Sequence, residues 1–191
     1  MLDRFVCQQP WIGAKISGGG RAIPLAPPLL RVGQGQVAVV GDAACQVFSP
    51  HGSGVAQGML AAHVLAKSLA KGRNAEDYNA VWQRRYGGHL AGAVAFRRFS
   101  QSLSVDELSD MIERKVLSPP MVRNSLIQRP PRPPKRALLR SGRGMVRRPQ
   151  LAPRMLSMLA RMKLIQEFYR LYPRNAAKIP QWARQLARLA R

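Results

Sequence analysis

Apolar residues run without a break over Val37, Ala38, Val39 and Val40, then recur at helical spacing from Val55 onward. The short, β-branched-rich run predicts a buried strand over 37–40. Gly41-Asp42 follows at once, and a turn-forming stretch, Pro50-His51-Gly52-Ser53-Gly54, comes next. The spacing then predicts a helix from about Gly54 to Lys71, with Ser53 as its N-cap. Val55, Met59, Ala62, Ala66 and Leu69 form an apolar stripe, widened by Leu60, Val64 and Leu65. Lys67 and Lys71 complement the helix dipole in the last turns, and Gly72 closes the helix. His63 falls inside it and reads as a packed or half-exposed histidine rather than a catalytic one.

On either side the pattern is less regular. Residues 1–36 look β-like at Phe5-Val6-Cys7 and Trp11-Ile12, then pass through Gly18-Gly19-Gly20 into a proline-punctuated run, Ala22–Arg31. An edge strand and a connecting loop are expected there, since proline removes a donor and disfavours helix before it. Gly33 and Gly35 predict a tight turn feeding the 37–40 strand. Residues 74–100 read as helical, capped by Asn74 or Asp77 and kinked at Gly87-Gly88. Ser104 followed by Glu107 has the spacing of a capping box and opens a further helix that ends before Pro119-Pro120.

Residues 129–149 are rich in proline and arginine and predict an extended linker. From Pro153 to Tyr172, Met155, Leu156, Leu159, Met162, Ile165 and Phe168 alternate with Arg154, Arg161, Lys163 and Arg170, as expected of a basic amphipathic helix. Trp182, Leu186 and Leu189 repeat the pattern. Packing on the body of the protein ranks first for these helices, ahead of lying in a membrane interface. The chain thus divides into four regions: 1–36, an edge strand with its connecting loop; 37–120, the strand, Gly-Asp turn and following helices; 121–152, a linker; and 153–191, basic helices.

Charge sharpens that division. The 191 residues carry 31 Lys and Arg against 9 Asp and Glu, a formal net charge of +22. Residues 121–191 hold 18 of the basic residues and one of the acidic ones. A polycationic tail favours anionic partners: peripheral contact with a membrane surface, or nucleic acid. Nucleic acid ranks lower, because no recognised RNA-binding motif interleaves Phe168, Tyr169, Tyr172 and Trp182, the rings that would stack on bases. No run reaches the roughly 18–20 apolar residues of a membrane span. Cys7 and Cys45 lack a CxxC partner or a histidine at metal-ligand spacing, so no metal site is expected and a reducing, cytoplasmic compartment is the default. Cys45 reads as a small apolar residue rather than a redox thiol.

Strand, carboxylate, glycine-rich loop and helix start, in that order, make a ligand site of the α/β kind. Gly41 allows the backbone to turn at the strand end, and free amides at the helix start favour negative charge. Gly41-Asp42-Ala43-Ala44, with Pro50 and Gly52-Ser53-Gly54 beyond it, resembles the second flavin-binding motif of FAD-dependent oxidoreductases of the para-hydroxybenzoate hydroxylase fold. Within that group it is most similar to the geranylgeranyl reductase-type branch, in which a Gly-rich, Pro-containing segment and an apolar strand lead into Gly-Asp-Ala-Ala. The likeness covers about residues 10–120.

The resemblance implies FAD as cofactor and an apolar or isoprenoid-like substrate. It implies that Asp42 accepts a hydrogen bond from a ribityl hydroxyl. Gly41, Pro50, His51, Gly52, Ser53 and Gly54 complete the implied cofactor-binding set, with the helix start facing the flavin pyrimidine. No catalytic residue is assigned. The spacing from Asp42 to Pro50 is about one residue longer than in the family, so a bulge is expected in the loop.

The dinucleotide fingerprint G-x-G-x-x-G, on a strand end and opening a helix, is missing before residue 37. Gly52–Gly58 matches it superficially but follows a loop and has the wrong final spacing. The expected fold is therefore mixed α/β and predominantly helical: an incomplete FAD-binding domain followed by C-terminal helices. The 37–40 strand is expected to take its sheet neighbours from a separate segment or chain carrying the N-terminal half. Two other functions compete with the flavoenzyme reading: a non-catalytic remnant unable to hold FAD alone, and a basic module binding membrane or RNA through residues 121–191.

Overall fold

A computed structural model of the protein describes residues 2–14, 16–17, 19–113, 123, 126–128 and 150–189. The linker expected over 129–149 and the helix end expected before Pro119 lie outside them. The chain is predominantly helical with a small two-stranded sheet. In order it forms α1 (Leu2–Cys7), β1 (Gly33–Gln34), β2 (Val37–Ala38), a 3-10 turn (Gly41–Ala44), α2 (Val55–Leu69) and α3 (Ala75–Trp82). A π turn (Gln83–Gly87) leads directly into α4 (Gly88–Gln101), followed by α5 (Val105–Glu113). After it come α6 (Leu151–Arg170), a 3-10 turn (Ala176–Lys178) and α7 (Ile179–Leu189).

The β content is smaller than the sequence predicts. Phe5-Val6-Cys7 belongs to α1, not to an edge strand. A three-residue apolar run does not distinguish strand from helix, and with no neighbouring strand a helix satisfies its own backbone. The strand expected over 37–40 is two residues long and antiparallel to β1, with Gly33 opposite Ala38 and Gln34 opposite Val37. The tight turn is present, with Gly35 at φ +56°. Val39 donates its amide to the Val32 carbonyl at 2.8 Å, and Val40 remains extended. The run is not buried: Val37 is 69% exposed, because only one short strand flanks it.

Helix boundaries follow local chemistry. Asn74 caps α3 by accepting from the Asp77 amide at 3.0 Å. Gly72, at φ +67°, ends α2; its amide reaches the Leu69 carbonyl and that of Arg73 reaches Ser68, the paired bonds of a Schellman motif. The capping box of α5 is complete, with Ser104 N donating to Glu107 at 2.9 Å and Glu107 N to Ser104 Oγ at 3.1 Å. At the N-terminus of α2 the cap is Gly54, not Ser53. The Ser53 hydroxyl accepts from the Gln128 side chain instead.

Gly87-Gly88 produces a π turn within continuous helix rather than a break. The two glycines lie against α6: a Cβ at Gly88 would sit 2.8 Å from the Cβ of Tyr169 and 3.0 Å from the backbone of Gln166. α4 and α6 therefore pack with their backbones close together. Their contact joins three apolar clusters. One gathers Val32, Phe48, Val64, Tyr78, Trp82 and Leu90 behind the Gly-Asp turn. The second holds Ile165, Tyr169, Tyr172, Ile179 and Trp182. Phe99, Met111, Leu151, Met155 and Met158 form the third.

The basic C-terminal helices pack on the body, as ranked first. Trp182 is 6% exposed; its ring stacks on Phe168 at 5.3 Å and meets Tyr169 and Tyr172 edge-on at 5.0 and 4.9 Å. The four aromatics offered as a stacking surface for bases are thus occupied by one another. Among the described residues no helix is long and apolar enough to cross a membrane.

Trp182→Ala is expected to destabilise the fold by about 3–5 kcal/mol, the range for truncating a buried aromatic. Leu156→Ala, at a 65% exposed position of the same region, is expected to shift stability by less than about 0.5 kcal/mol. Urea unfolding followed by circular dichroism measures both, and equal losses would contradict the packing described.

Candidate functional site

The Gly-Asp turn is built by a left-handed residue at each end. Gly41 has φ +69°, a conformation that glycine adopts without a Cβ clash. Cys45, half-buried and free, takes φ 52° despite its side chain. Its amide donates to Asp42 O at 2.9 Å, and that of Gln46 to Gly41 O at 3.0 Å, closing the turn on itself.

A residue that the sequence pattern does not single out braces this turn. Gln46 is fully buried. Its side-chain oxygen accepts from the Gly41 amide at 2.7 Å, and its nitrogen donates to the Tyr78 hydroxyl at 3.0 Å. That hydroxyl donates in turn to the Val39 carbonyl at 3.3 Å. Burial raises the Tyr78 phenol above its ordinary pKa, opposed by the Gln46 hydrogen bond, so it stays a neutral donor. The extended residues before the turn, the turn itself and α3 are thereby one unit. A glutamine inside the apolar stretch Ala43–Phe48 was the available signal: a buried amide needs partners.

Asp42 is exposed, and no hydrogen bond engages its carboxylate among the described residues. It lies at the start of α2. A Cβ on Gly54 would sit 2.6 Å from Asp42 Oδ1 and 3.3 Å from Val47 Cγ2, so a side chain there would displace the carboxylate from the position it holds. The first-turn amides of α2, which have no intrahelical carbonyl to reach, begin beside this negative group.

Between them the loop closes tightly. Phe48 N donates to Ser53 O at 2.9 Å and Gly52 N to Phe48 O at 3.0 Å. Pro50 is half-buried and His51 exposed at its tip, the His51 ring 4.9 Å from that of Phe48. Gly52 has φ +69°, and the space its Cβ would fill is lined by Ile23 and Leu25 of the proline-punctuated segment. The structure therefore brings Gly41, Asp42 and Gly54 together at the head of α2. It sets His51 on the outer side of the loop and covers Gly52 with this chain's own apolar side chains.

His89 of α4 also enters the site, without a sequence signal. Its ring stacks on Phe48 at 5.4 Å. Burial lowers its pKa below the ordinary histidine value, against the opposing effect of a hydrogen bond to the Gln128 backbone. Gln128 in turn links Gln57 and Ser53. His63 is exposed on α2 and meets none of these groups.

The apolar stripe of α2 faces away from the core. Gln57, Ala61, Val64 and Ser68 are buried. Val55 and Met59 are 79% and 69% exposed, and Ala62, Ala66 and Leu69 lie on the same open side.

No protein-family profile matches the sequence. The chain is distantly homologous to reductases of isoprenoid-lipid type, the digeranylgeranylglycerophospholipid reductases. The enzyme of that name from Sulfolobus acidocaldarius is 26% identical over 183 residues, covering 88% of this chain and 39% of the relative. Digeranylgeranylglycerophospholipid reductase 2 of Methanothermobacter thermautotrophicus is 27% identical over 119 residues, covering 58% of this chain and 30% of the relative. The chain spans well under half the length of the curated relatives it matches.

Gln46→Leu keeps side-chain volume but leaves the Gly41 amide and Tyr78 hydroxyl short of a partner. It is expected to cost about 1–3 kcal/mol, read as a lower urea midpoint at unchanged m-value. His89 binds its proton less readily in the folded chain than in the unfolded one. Its contribution is fully present above the unfolded value of about 6.5 and is lost as pH falls through the lower folded value, where the unfolded chain takes up the extra proton. The melting midpoint is expected to fall between pH 7.5 and 5.5, and His89→Gln to flatten that slope. An identical slope in the variant would exclude His89 as its source.

Proposed function

We propose that this chain forms the ribityl-and-ring half of an FAD site in an oxidoreductase acting on an apolar, isoprenoid-like substrate. The observation that carries the reading is Asp42: an exposed carboxylate, free of hydrogen bonds among the described residues, set against Gly54 at the head of α2. Those groups fit the cofactor half in question. Asp42 would accept from a ribityl hydroxyl, and the α2 amides would favour negative charge on the pyrimidine side. FAD, when bound, supplies the redox chemistry. The protein's part is to hold Asp42 and the helix start rigidly, which the Gln46–Tyr78 bonds do for Gly41.

The distant likeness to digeranylgeranylglycerophospholipid reductases supports the substrate class. The remaining cofactor contacts, to adenosine and pyrophosphate, are assigned to polypeptide carrying an N-terminal half. The open stripe on α2 and the exposed Val37 suit a surface that such a segment would cover. Ile23 and Leu25 at Gly52, and His51 on the outer side of the loop, make Gly41, Asp42 and Gly54 the core of the assignment.

The test is FAD binding by the purified chain, read as flavin absorbance surviving gel filtration and as quenching of flavin fluorescence on titration. Asp42→Ala is expected to weaken binding by at least tenfold, as loss of a charge-assisted hydrogen bond worth about 1.5–3 kcal/mol requires. Unchanged affinity in that variant would refute the site, and a wild-type chain that takes up no FAD would refute independent binding.

A further inference from the structure

A residue far away in sequence reaches the start of α2. The side-chain oxygen of Gln128 accepts from Gln57 Nε2 at 2.5 Å, and its side-chain nitrogen donates to Ser53 Oγ at 3.0 Å. Gly54, the position that meets Asp42 Oδ1, lies between these two anchors in sequence. Gln57 is buried, so one anchor belongs to the core. The Gln128 backbone is held as well, by the side chain of His89, whose ring stacks on Phe48. Gln128 takes this position at φ +54°, the left-handed region, where a residue with a Cβ meets a steric cost.

We propose that Gln128 is a latch: its carboxamide occupies the pyrimidine side of the α2 start, and FAD binds there when the carboxamide withdraws. The inference rests on the FAD reading of the same site and adds its regulation. A carboxamide presents a carbonyl beside an N–H, as a flavin pyrimidine edge does, so the two compete for the same partners. Both ends of the carboxamide are engaged, and the hydroxyl of Ser53, a residue of the implied cofactor set, is given to this contact. The left-handed backbone opposes the closed position, so the hydrogen bonds hold the latch by a small net margin. A latch held in this way lowers the apparent affinity for FAD by the fraction of molecules in which it is open.

Titration of the full chain with FAD, read by quenching of flavin fluorescence, tests the latch. Gln128→Ala is expected to bind FAD at least about fivefold tighter than the wild type. Gln57→Met replaces the amide that binds Gln128 by an apolar end of similar length, and is expected to tighten binding too. The double variant is expected to bind no tighter than Gln128→Ala alone, because both changes open one latch. Ile127→Ala, at the exposed neighbouring position, is expected to change affinity by less than about twofold. Circular dichroism of each variant confirms the fold. Asp42→Ala, made in the wild type and in Gln128→Ala, separates the two readings. Weakening by Asp42→Ala with no gain from Gln128→Ala overturns the latch and leaves the flavin site standing. A gain from Gln128→Ala that survives Asp42→Ala supports the latch and refutes the contact assigned to Asp42. Fully additive gains, equal tightening by Ile127→Ala, or no FAD uptake by either the wild type or Gln128→Ala would each overturn the latch.

Discussion

The hydroxyl of Tyr172, just beyond α6, ties the C-terminal helices to the segment that enters β1. It donates to the Leu30 carbonyl at 2.6 Å and accepts from Asn79 at 2.8 Å, while Asn79 accepts from the Val32 amide at 2.9 Å. Arg84 adds a bond to the Tyr172 carbonyl at 2.7 Å. Tyr172 and Val32 are fully buried, so these bonds form where an unpaired polar group is costly. The consequence is positional. α3 presents Asn79 to this network and, one residue earlier, Tyr78 to the brace of the Gly-Asp turn. One short helix thus transmits the packing of the C-terminal helices to the geometry of the candidate site.

That arrangement explains how a chain so rich in basic residues retains a core. Lys163 and Arg170 of α6 and Arg184 and Arg188 of α7 are exposed, while Tyr169, Tyr172 and Trp182 form a mutually packed aromatic group. Aromatic pairs of this geometry add to the gain from burial itself. α7 is amphipathic in the ordinary sense of covering a protein surface, whereas α6 buries Met155, Met158, Ile165 and Tyr169 but leaves Leu156 and Leu159 of the expected apolar pattern, and Leu164, exposed. α2 shows the opposite economy of surface: its buried side is short and partly polar, with Gln57 and Ser68, and its apolar side is open.

Much of this was legible in the sequence where the signal was local. Asn74, Gly72 and the Ser104–Glu107 pair act through bonds to neighbours within a few residues, so sequence alone exposes them. The tight turn through Gly35 is of the same kind. The strand over 37–40 was misjudged because apolar, β-branched character measures fitness for a covered sheet and cannot show whether the cover exists. Phe5–Cys7 failed for a related reason, a run too short to carry a period. The roles of Tyr78 and His89 carry no local signal because they depend on partners 32 to 41 residues away, brought together only by the packing of α3 and α4. Ser53 has the residue type of a cap, but the residue whose backbone starts the helix is Gly54, and the Ser53 hydroxyl is engaged by Gln128 instead.

The bond from Tyr172 to Leu30 spans 142 residues. Contacts this remote in sequence close a very large loop before they return any stabilisation, and chains dominated by them fold slowly. On a ribosome, Leu30 emerges long before its partner has been synthesised, and the segment entering the hairpin waits without the bond that fixes it. α2 to α4 can associate early through near-neighbour contacts, with the last fastening made only when α6 has emerged. The order of assembly is therefore written into the topology: the candidate site takes its final shape only once α6 and the Tyr172 that follows it have emerged.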